Sequence, residues 1–462
     1  MSGGSVQPTR TSTSPVDAWH ALLRTDVELT PAFCAELAAQ MRAQRLTFGD
    51  RVHCPFLRPF FISEPEEARV RPVAETIAVL GERVVEAALI SRELLAQVGL
   101  SAEEERLARI EPGYKLASTA SRLDAFLLPD SLQFAEYNAE SPAGLGYAET
   151  LAELFRSLPI MARFESRFRV DSYPLSASIL DALLASYRDW GGTSATPQIA
   201  IVDWREVPTW SEFEILRERF EARGIPALVS DPRDLVFDGR TLLGQGRKID
   251  LVYRRVLIND IVSNPAECQA LVQAYESRAV CVANTFRCKI PHKKAFFSVL
   301  TDEQNEKLFS AAELALIRRH VPWTRRLEDA RTTRDGETVE LLKYVREHRE
   351  NFVMKPNDEY GGTGVTLGWE TEPAVWDAAI QKALAEPEKA WVVQERIKVR
   401  REIFPHADPN GKVTMRDMLV DFAPYLFRGR LAGYLCRLSG TGLANVTSGG
   451  GQVPAFRVSP RA

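Results

Sequence analysis

Apolar residues recur at three- and four-residue spacing from Val16 to about Arg109, most plainly over Val73 to Val98, and glycines are few. That period predicts a helical region. Between Leu123 and Asn138 the period drops to two: LDAFLLPDSLQFAEYN predicts two short strands turned at Pro129-Asp130-Ser131. Helical text returns over residues 151–190 and stops at the breaker cluster Gly191 to Pro197. Beyond it, the strand QIAIVDW, a helix over Glu212 to Arg223 closed by Gly224, and the strand PALVS form a strand-helix-strand unit, which implies parallel pairing. Asp238-Gly239 marks a hairpin turn, GQG at 244–246 reads as another turn, and a further strand ends at Tyr253-Arg254-Arg255. Helix resumes near Pro265, NFVMKP runs as a strand into a glycine-rich stretch, and AWVVQERI predicts a buried strand. The C-terminal block alternates MLVDFAPYLF, RLAGYLCRLS and NVTSGGGQVPAFRV with turns, and no internal repeat is present.

A chain of 462 residues with 45% hydrophobic content holds about three domain-sized units of about 150 residues, or one multi-lobed enzyme. Its 58 Lys and Arg against 62 Asp and Glu leave a net charge of −4, so no general attraction to nucleic acid or to an anionic membrane is expected. An anionic ligand must then meet a local cluster of cations. The six cysteines never form C-x-x-C and no H-E-x-x-H occurs, which removes structural zinc sites and zincins from consideration. Those cysteines read as reduced and mostly buried, a reading that also prevails over a thiol pair of Cys34 or Cys54 with His53. Residues 1–15 read as a disordered tail rather than a signal peptide, and no run approaches the ~20 apolar residues of a membrane span. A soluble, cytoplasmic protein is expected, with its oligomeric state open.

Three segments carry candidate chemistry. In KPNDEYGGTGV, Lys355 precedes Gly361, Gly362, Thr363 and Gly364, a loop whose backbone N–H groups can close over phosphates, although it lacks the order of a Walker A loop. Some thirty residues on, a strand ends in Gln394-Glu395 with Ile397 beyond it, polar edge groups beside an aliphatic cover, as an adenine slot needs. Far upstream stand Arg122-x-Asp124 and Glu136-x-Asn138, followed by Ser141-Pro142. Positions i and i+2 of a strand share a face, so each pair projects two side chains toward one point. The three oxygen donors Asp124, Glu136 and Asn138 suit Mg²⁺, and Arg122 beside them can neutralise a transferring phosphoryl group. Tyr253-Arg254-Arg255 is open between a carboxylate receptor and a surface ion pair.

Taken together, K…GG-x-G, Q-E-x-I, an R…N…GG block (Arg437, Asn445, Gly449, Gly450) and R-x-D…E-x-N-x-x-x-P resemble the ATP-grasp ligases. In most of that superfamily the R-x-D…E-x-N element comes last. Here it comes first, the circularly permuted order, and the chain resembles the synthetase half of glutathionylspermidine synthase and its permuted relatives. FAEYNAESP and IPHKKAFFSVL are the most specific matches, within a likeness over residues 110 to 455.

After the disordered tail (1–15) and helical N-terminal region (16–110) read from the pattern, the resemblance implies an α/β fold with α+β lobes: a permuted ATP-grasp portion carrying the Mg²⁺ site (111–195), a Rossmann-like pre-ATP-grasp lobe (196–290), an ATP-binding lobe with a glycine-rich lid (291–400), and C-terminal strands completing the core (401–462). It also implies that Lys294, with Lys293 the near alternative, and Lys355 meet the ATP phosphates under the lid. Gln394, Glu395 and Ile397 then hold the adenine, Asn445 adds a nucleotide contact, and Arg122, Lys355 and Arg437 act in catalysis. The implied reaction joins a small-molecule carboxylate to an amine through an acyl phosphate, releasing ADP and phosphate. A non-catalytic nucleotide-binding protein and a kinase-like phosphorylation of a small molecule remain as alternatives. The first 110 residues show no amidase half, and the identities of the carboxylate and amine are open.

Overall fold

A computed structural model describes residues 14–25, 29–49, 51–359, 361–440 and 450–461. The alternating text around Leu123 folds as a hairpin, Ala120–Leu127 paired antiparallel with Leu132–Asn138, with Arg122 opposite Asn138 and Asp124 opposite Glu136. The hairpin is not an isolated ribbon. Its first strand pairs with Val413–Phe427, Arg122 opposite Tyr425, so strands about three hundred residues apart in sequence share one sheet. Across this sheet the order is Gly451–Val453, Arg430–Ser439, Val413–Phe427, Ala120–Leu127, Leu132–Asn138, with Arg400–Ala407 paired to the other stretch of the long central strand.

Two more sheets flank it. Ile199–Val202, Ala227–Ser230, Leu251–Arg254 and Cys281–Ala283 are all parallel, and the chain leaves Ile199–Val202 to one side before returning to the other. The predicted strand-helix-strand unit is part of this layer, its helix Trp210–Ala222 burying Phe213, Leu216 and Phe220. The third sheet, Thr324–Arg326, Val392–Glu395, Phe352–Lys355 and Thr366–Leu367, is antiparallel. Trp376 from helix Pro373–Ala385 and Val345 from Leu341–Glu347 close its core.

The N-terminal stretch is helical over Pro15–Thr25, Pro31–Ala43, Glu64–Ile90, Arg92–Val98 and Ala102–Arg109. It departs from an all-helical reading at the small ribbon of Thr47–Phe48 and Arg51–Val52 and at Phe60–Ser63. FFIS follows a proline and ends at Ser63, which opens the next helix through a reciprocal capping box with Glu66, so only four residues are left and they take the extended form. This strand lies parallel to Ala455–Pro460, which also pairs with Phe168–Asp171, so the N-terminal region meets the last strand. All six cysteines are free and buried, and among the described residues no helix is long and apolar enough to cross a membrane.

A buried cluster of charges ties these parts together. Glu140, just after the hairpin, meets Lys289 at 3.1 Å and Arg254, the last residue of a parallel strand, at 3.2 Å. Lys289 also meets Asp358 at 2.9 Å, and Lys293 joins Asp358 at 2.5 Å to Glu104 of the N-terminal helices at 2.8 Å. Three carboxylates therefore face three cations. Burial pushes the Glu140 carboxyl up, but Lys289, His292 and Arg254 outweigh it and hold it at about 2. Burial likewise drives His292 down to about 4, leaving the imidazole neutral near pH 7.

Removing one member leaves its partners as uncompensated buried charges, so Glu140→Ala is expected to cost about 3–5 kcal/mol of folding stability. Chemical denaturation measures it; a loss below about 1 kcal/mol, the scale of an exposed pair, would mean that the cluster does not hold the parts together.

Candidate active site

Four neighbouring strands of the large sheet carry one polar row. Asp421 stands opposite Arg437 in register, and Asp124 opposite Glu136. Arg437 donates from Nε to Asp421 at 2.6 Å and from Nη2 to Asp124 at 2.5 Å, while Arg122 Nε donates to Asp124 at 2.8 Å. One guanidinium is thus shared by two buried carboxylates, and the two respond differently. Burial raises the Asp124 carboxyl, but two arginines outweigh it and hold it below the usual range. At Asp421 burial, reinforced by repulsion from Asp124, outweighs Arg437 and lifts the carboxyl above that range.

The segment after the hairpin is pinned from three sides, which accounts for the composition of Ser141-Pro142-Ala143-Gly144. Ser141 Oγ donates to the Arg255 carbonyl at 2.7 Å, Arg255 Nη1 to the Pro142 carbonyl at 2.8 Å, and Arg122 Nη1 to the Ala143 carbonyl at 2.9 Å. Gly144 takes φ +96°, where a side chain would be strained, and its N–H donates to the buried Glu212 at 2.9 Å. Of the Tyr253-Arg254-Arg255 run, Arg254 receives the carboxylate of Glu140, and Arg255 the carbonyl of Pro142.

Facing the polar row across a cleft of about 190 Å³ are Lys294 and Lys355. Lys355 ends the strand Phe352–Lys355; its Nζ donates to Gln394 Oε1 at 2.7 Å and to the Ala135 carbonyl at 3.2 Å, so it spans both walls. Burial drives its ammonium down to about 8, nearby Lys294 adding to the effect and Glu136 and Asp124 opposing it. Lys294 donates to the Glu359 carbonyl at 2.5 Å and stands 3.5 Å from Glu136. Its neighbour Lys293 belongs to the buried charge cluster instead.

The base of the glycine loop is held rigidly. Asn357 Oδ1 accepts from the Ala295 N–H at 2.8 Å, and its Nδ2 donates to the Val98 carbonyl at 2.9 Å. Gly361 and Gly362 line the cleft, whereas Thr363 and Gly364 do not. Gly364 is needed for shape: it takes φ +73°, and a Cβ there would meet Pro356 Cγ at 2.7 Å.

At the far end Val353, Leu367, Trp369 and Ile397 make an apolar slot with Gln394 and Glu395 at its edge. Both ends of the Gln394 amide are engaged within the protein, with Lys355 and with Thr324 Oγ1 at 3.2 Å, so it positions the lysine. Glu395 pairs with Arg334 at 2.7 Å, and Arg396 lies 4.3 Å over the Trp369 ring. Asn445 and Gly449 lie outside the described residues. Sequence reasoning passed over Asp421 and Trp369. The signal for Asp421 was present as a single acid within the apolar strand text MLVDFAPYLF, and a lone charge in a buried strand needs a partner.

The donor set fits Mg²⁺. Asn138 Nδ2 donates to Glu136 Oε1 at 3.1 Å, the second Glu136 oxygen stands 3.5 Å from Lys294, and Asp124 lies opposite across the hairpin; Glu136 and Asp124 line the cleft, Asn138 does not. Among the described residues no group of three or more His, Cys, Asp or Glu side chains makes a ready metal cage. One or two carboxylates completed by phosphate oxygens and water is the usual Mg²⁺ arrangement.

No family profile matches the chain. A Frankia casuarinae protein with the provisional name glutamate–cysteine ligase 2-2 is 24% identical over 334 residues, 68% of this chain and 35% of that protein. An uncharacterised protein of Mycobacterium tuberculosis is 24% identical over 352 residues, 71% of this chain and 58% of that protein. The chain thus spans about a third of the first relative and somewhat over half of the second. Among solved structures, a glutathione synthetase-like effector of Globodera pallida superimposes with a TM-score of 0.61 at 12% identity, covering 94% of this chain and 99% of that one. The chain is a mixed α/β protein whose fold is similar to that of the glutathione synthetase-like effector.

Proposed function

We propose that this chain is an ATP-dependent carboxylate–amine ligase with a circularly permuted ATP-grasp arrangement. In this reading, residues 111–195 supply the metal-side hairpin, 196–290 a Rossmann-like lobe, 291–400 the ATP-binding lobe and its lid, and 401–462 the strands completing the core. The observation that carries it is the meeting, in one cleft, of Lys294 and Lys355 with the Asp124, Glu136 and Arg437 row beside an apolar slot. The provisional ligase name of the Frankia relative agrees with it.

The slot takes the adenine against Trp369 and Ile397, and Lys294 and Lys355 hold the phosphates. Glu136 and Asn138, with Asp124, would hold Mg²⁺, which supplies positive charge against the phosphate oxygens. Arg437 and Arg122, fixed by Asp124 and Asp421, offset charge on the phosphoryl group as it moves. The substrate carboxylate attacks the γ-phosphorus, the bond to ADP breaks, and an acyl phosphate results. An amine then attacks the acyl carbon, phosphate leaves, and an amide remains. Little covalent help is asked of the protein; it positions the reactants and excludes water under the glycine loop.

Glutamate with cysteine, after the relative's name, and glutathione with spermidine are the first substrate pairs to assay within a wider carboxylate and amine panel. Continued turnover to ADP, beyond one equivalent per site, is expected only when carboxylate and amine are both present. AMP in place of ADP contradicts the mechanism, and a stable phosphorylated product formed without amine favours kinase-like chemistry.

Glu136→Gln and Lys355→Ala should each lower kcat by about 100-fold, the scale of one lost electrostatic partner of a transition state. Steady-state rates of the folded variants measure this, and near-normal turnover in both removes them from the site. Because Lys355 is cationic only below about 8 in the free protein, kcat/KM for ATP should fall as pH rises through that value. Lys355→Arg, which stays charged, should move that alkaline limb out of the accessible range.

A further inference from the structure

A second cavity, of about 460 Å³, opens between helix Pro31–Ala43 and the tip of the ribbon formed by Arg400–Ala407 and Val413–Phe427. It lies on the other face of the sheet from the nucleotide cleft. Side chains alternate along each strand, and His406 and Phe404, opposite Thr414 and Arg416 in register, share the face of Met418 and Val420, whereas Asp421 and Arg437 occupy the reverse face.

Leu37, Ala38, Met41, Val52, Pro55 and Leu57 give the cavity apolar walls. Protein interiors are ordinarily filled to crystal-like density, and this hollow has the size of a small-ligand site, which runs from about 300 to 1,000 Å³. Its charged groups are biased toward one sign. Arg42, Arg51 and Arg416 line it against a single carboxylate, Asp408, which is turned onto the Asn410 and Lys412 N–H groups at 2.9 Å. Neither Arg42 nor Arg416 has an ion-pair partner among the described residues. His406 also lines it; the residue is 7% exposed, packs 5.3 Å from the Phe56 ring, and its Nδ1 has no hydrogen-bond partner. A buried nitrogen of this kind is ordinarily satisfied, and a ligand entering the hollow can satisfy it.

We propose that this cavity binds a small anion with an apolar body, a medium-chain carboxylate being the simplest example. Its head meets Arg42 and Arg416 and its tail lies against Leu37, Met41 and Leu57. The site is separate from the nucleotide cleft and does not depend on the ligase reading.

Calorimetric titration of the full chain with decanoate, decylamine and decanol tests it. Decanoate should bind at one site per chain, at least about tenfold tighter than either uncharged or cationic analogue, the scale of one charge-assisted hydrogen bond. Saturating ATP should leave that affinity within about twofold, as independent sites require. Arg42→Gln combined with Arg416→Gln, both at exposed positions, should erase the preference for decanoate over decanol, and Ala38→Trp should block all three by filling the cavity. No binding of decanoate, equal binding of decylamine, displacement by ATP, or an unchanged preference in the double arginine variant each overturns the proposal. The arginine variant decides the matter even where Ala38→Trp does not fold.

Discussion

The buried charge cluster centred on Glu140 and Lys289 is the constraint on which the cleft depends. Its members come from the N-terminal helices, the segment after the hairpin, the parallel sheet and the base of the glycine loop, so it references all four to a common point. Isolated charges in such a place would be prohibitive, and even a matched pair gains little net stability from its own attraction. What the cluster does supply is definition of position: each carboxylate has a single arrangement in which its cations are all satisfied. Asp358 belongs to it, and the glycine loop that begins three residues later starts from a fixed base.

A second, smaller set of charges governs the cleft floor. Arg437 is divided between Asp421 and Asp124, and Arg122 leans on Asp124 alone while holding the Ala143 carbonyl. A guanidinium tied on one side by a buried carboxylate presents its remaining N–H groups in a fixed direction. In the proposed reaction that prearrangement is worth more than charge by itself, because an arginine free to swing would have to be ordered as the phosphoryl group moves. Lys355 shows the same economy of motion, since Gln394 and the Ala135 carbonyl hold its ammonium between the walls.

The role of the first 110 residues also follows from these contacts. They are not an appendage: Glu104 enters the charge cluster, the Val98 carbonyl accepts from Asn357 under the glycine loop, and Phe60–Ser63 pairs with the strand Ala455–Pro460. The N-terminal region therefore buttresses the cleft from behind, and its second helix forms one wall of the cavity on the opposite face of the sheet.

The sequence by itself determined the local elements and the residue types that could carry chemistry. Alternation over Leu123 to Asn138 is enough to specify a hairpin, because a period of two puts every second side chain on one face, and R-x-D with E-x-N then places four polar groups side by side. The glycine run after Lys355 and the apolar strand before Gln394 were legible for the same reason, each being a property of consecutive residues. Only the tertiary structure decided which of these meet. Nothing local distinguishes Lys293 from Lys294; the break between helices Lys289–His292 and Ala295–Thr301 sends one into the buried cluster and the other to the cleft. Asp421 looked like an ordinary strand residue until Arg437 and Ala125 were brought against it, and Gln394 looked like an edge reader until Lys355 occupied its carbonyl. The strand FFIS was hidden in helical text because its partner lies at the far end of the chain. Pairings of that kind are fixed by closure of long loops around a shared core, and the free energy that selects them resides in no single segment.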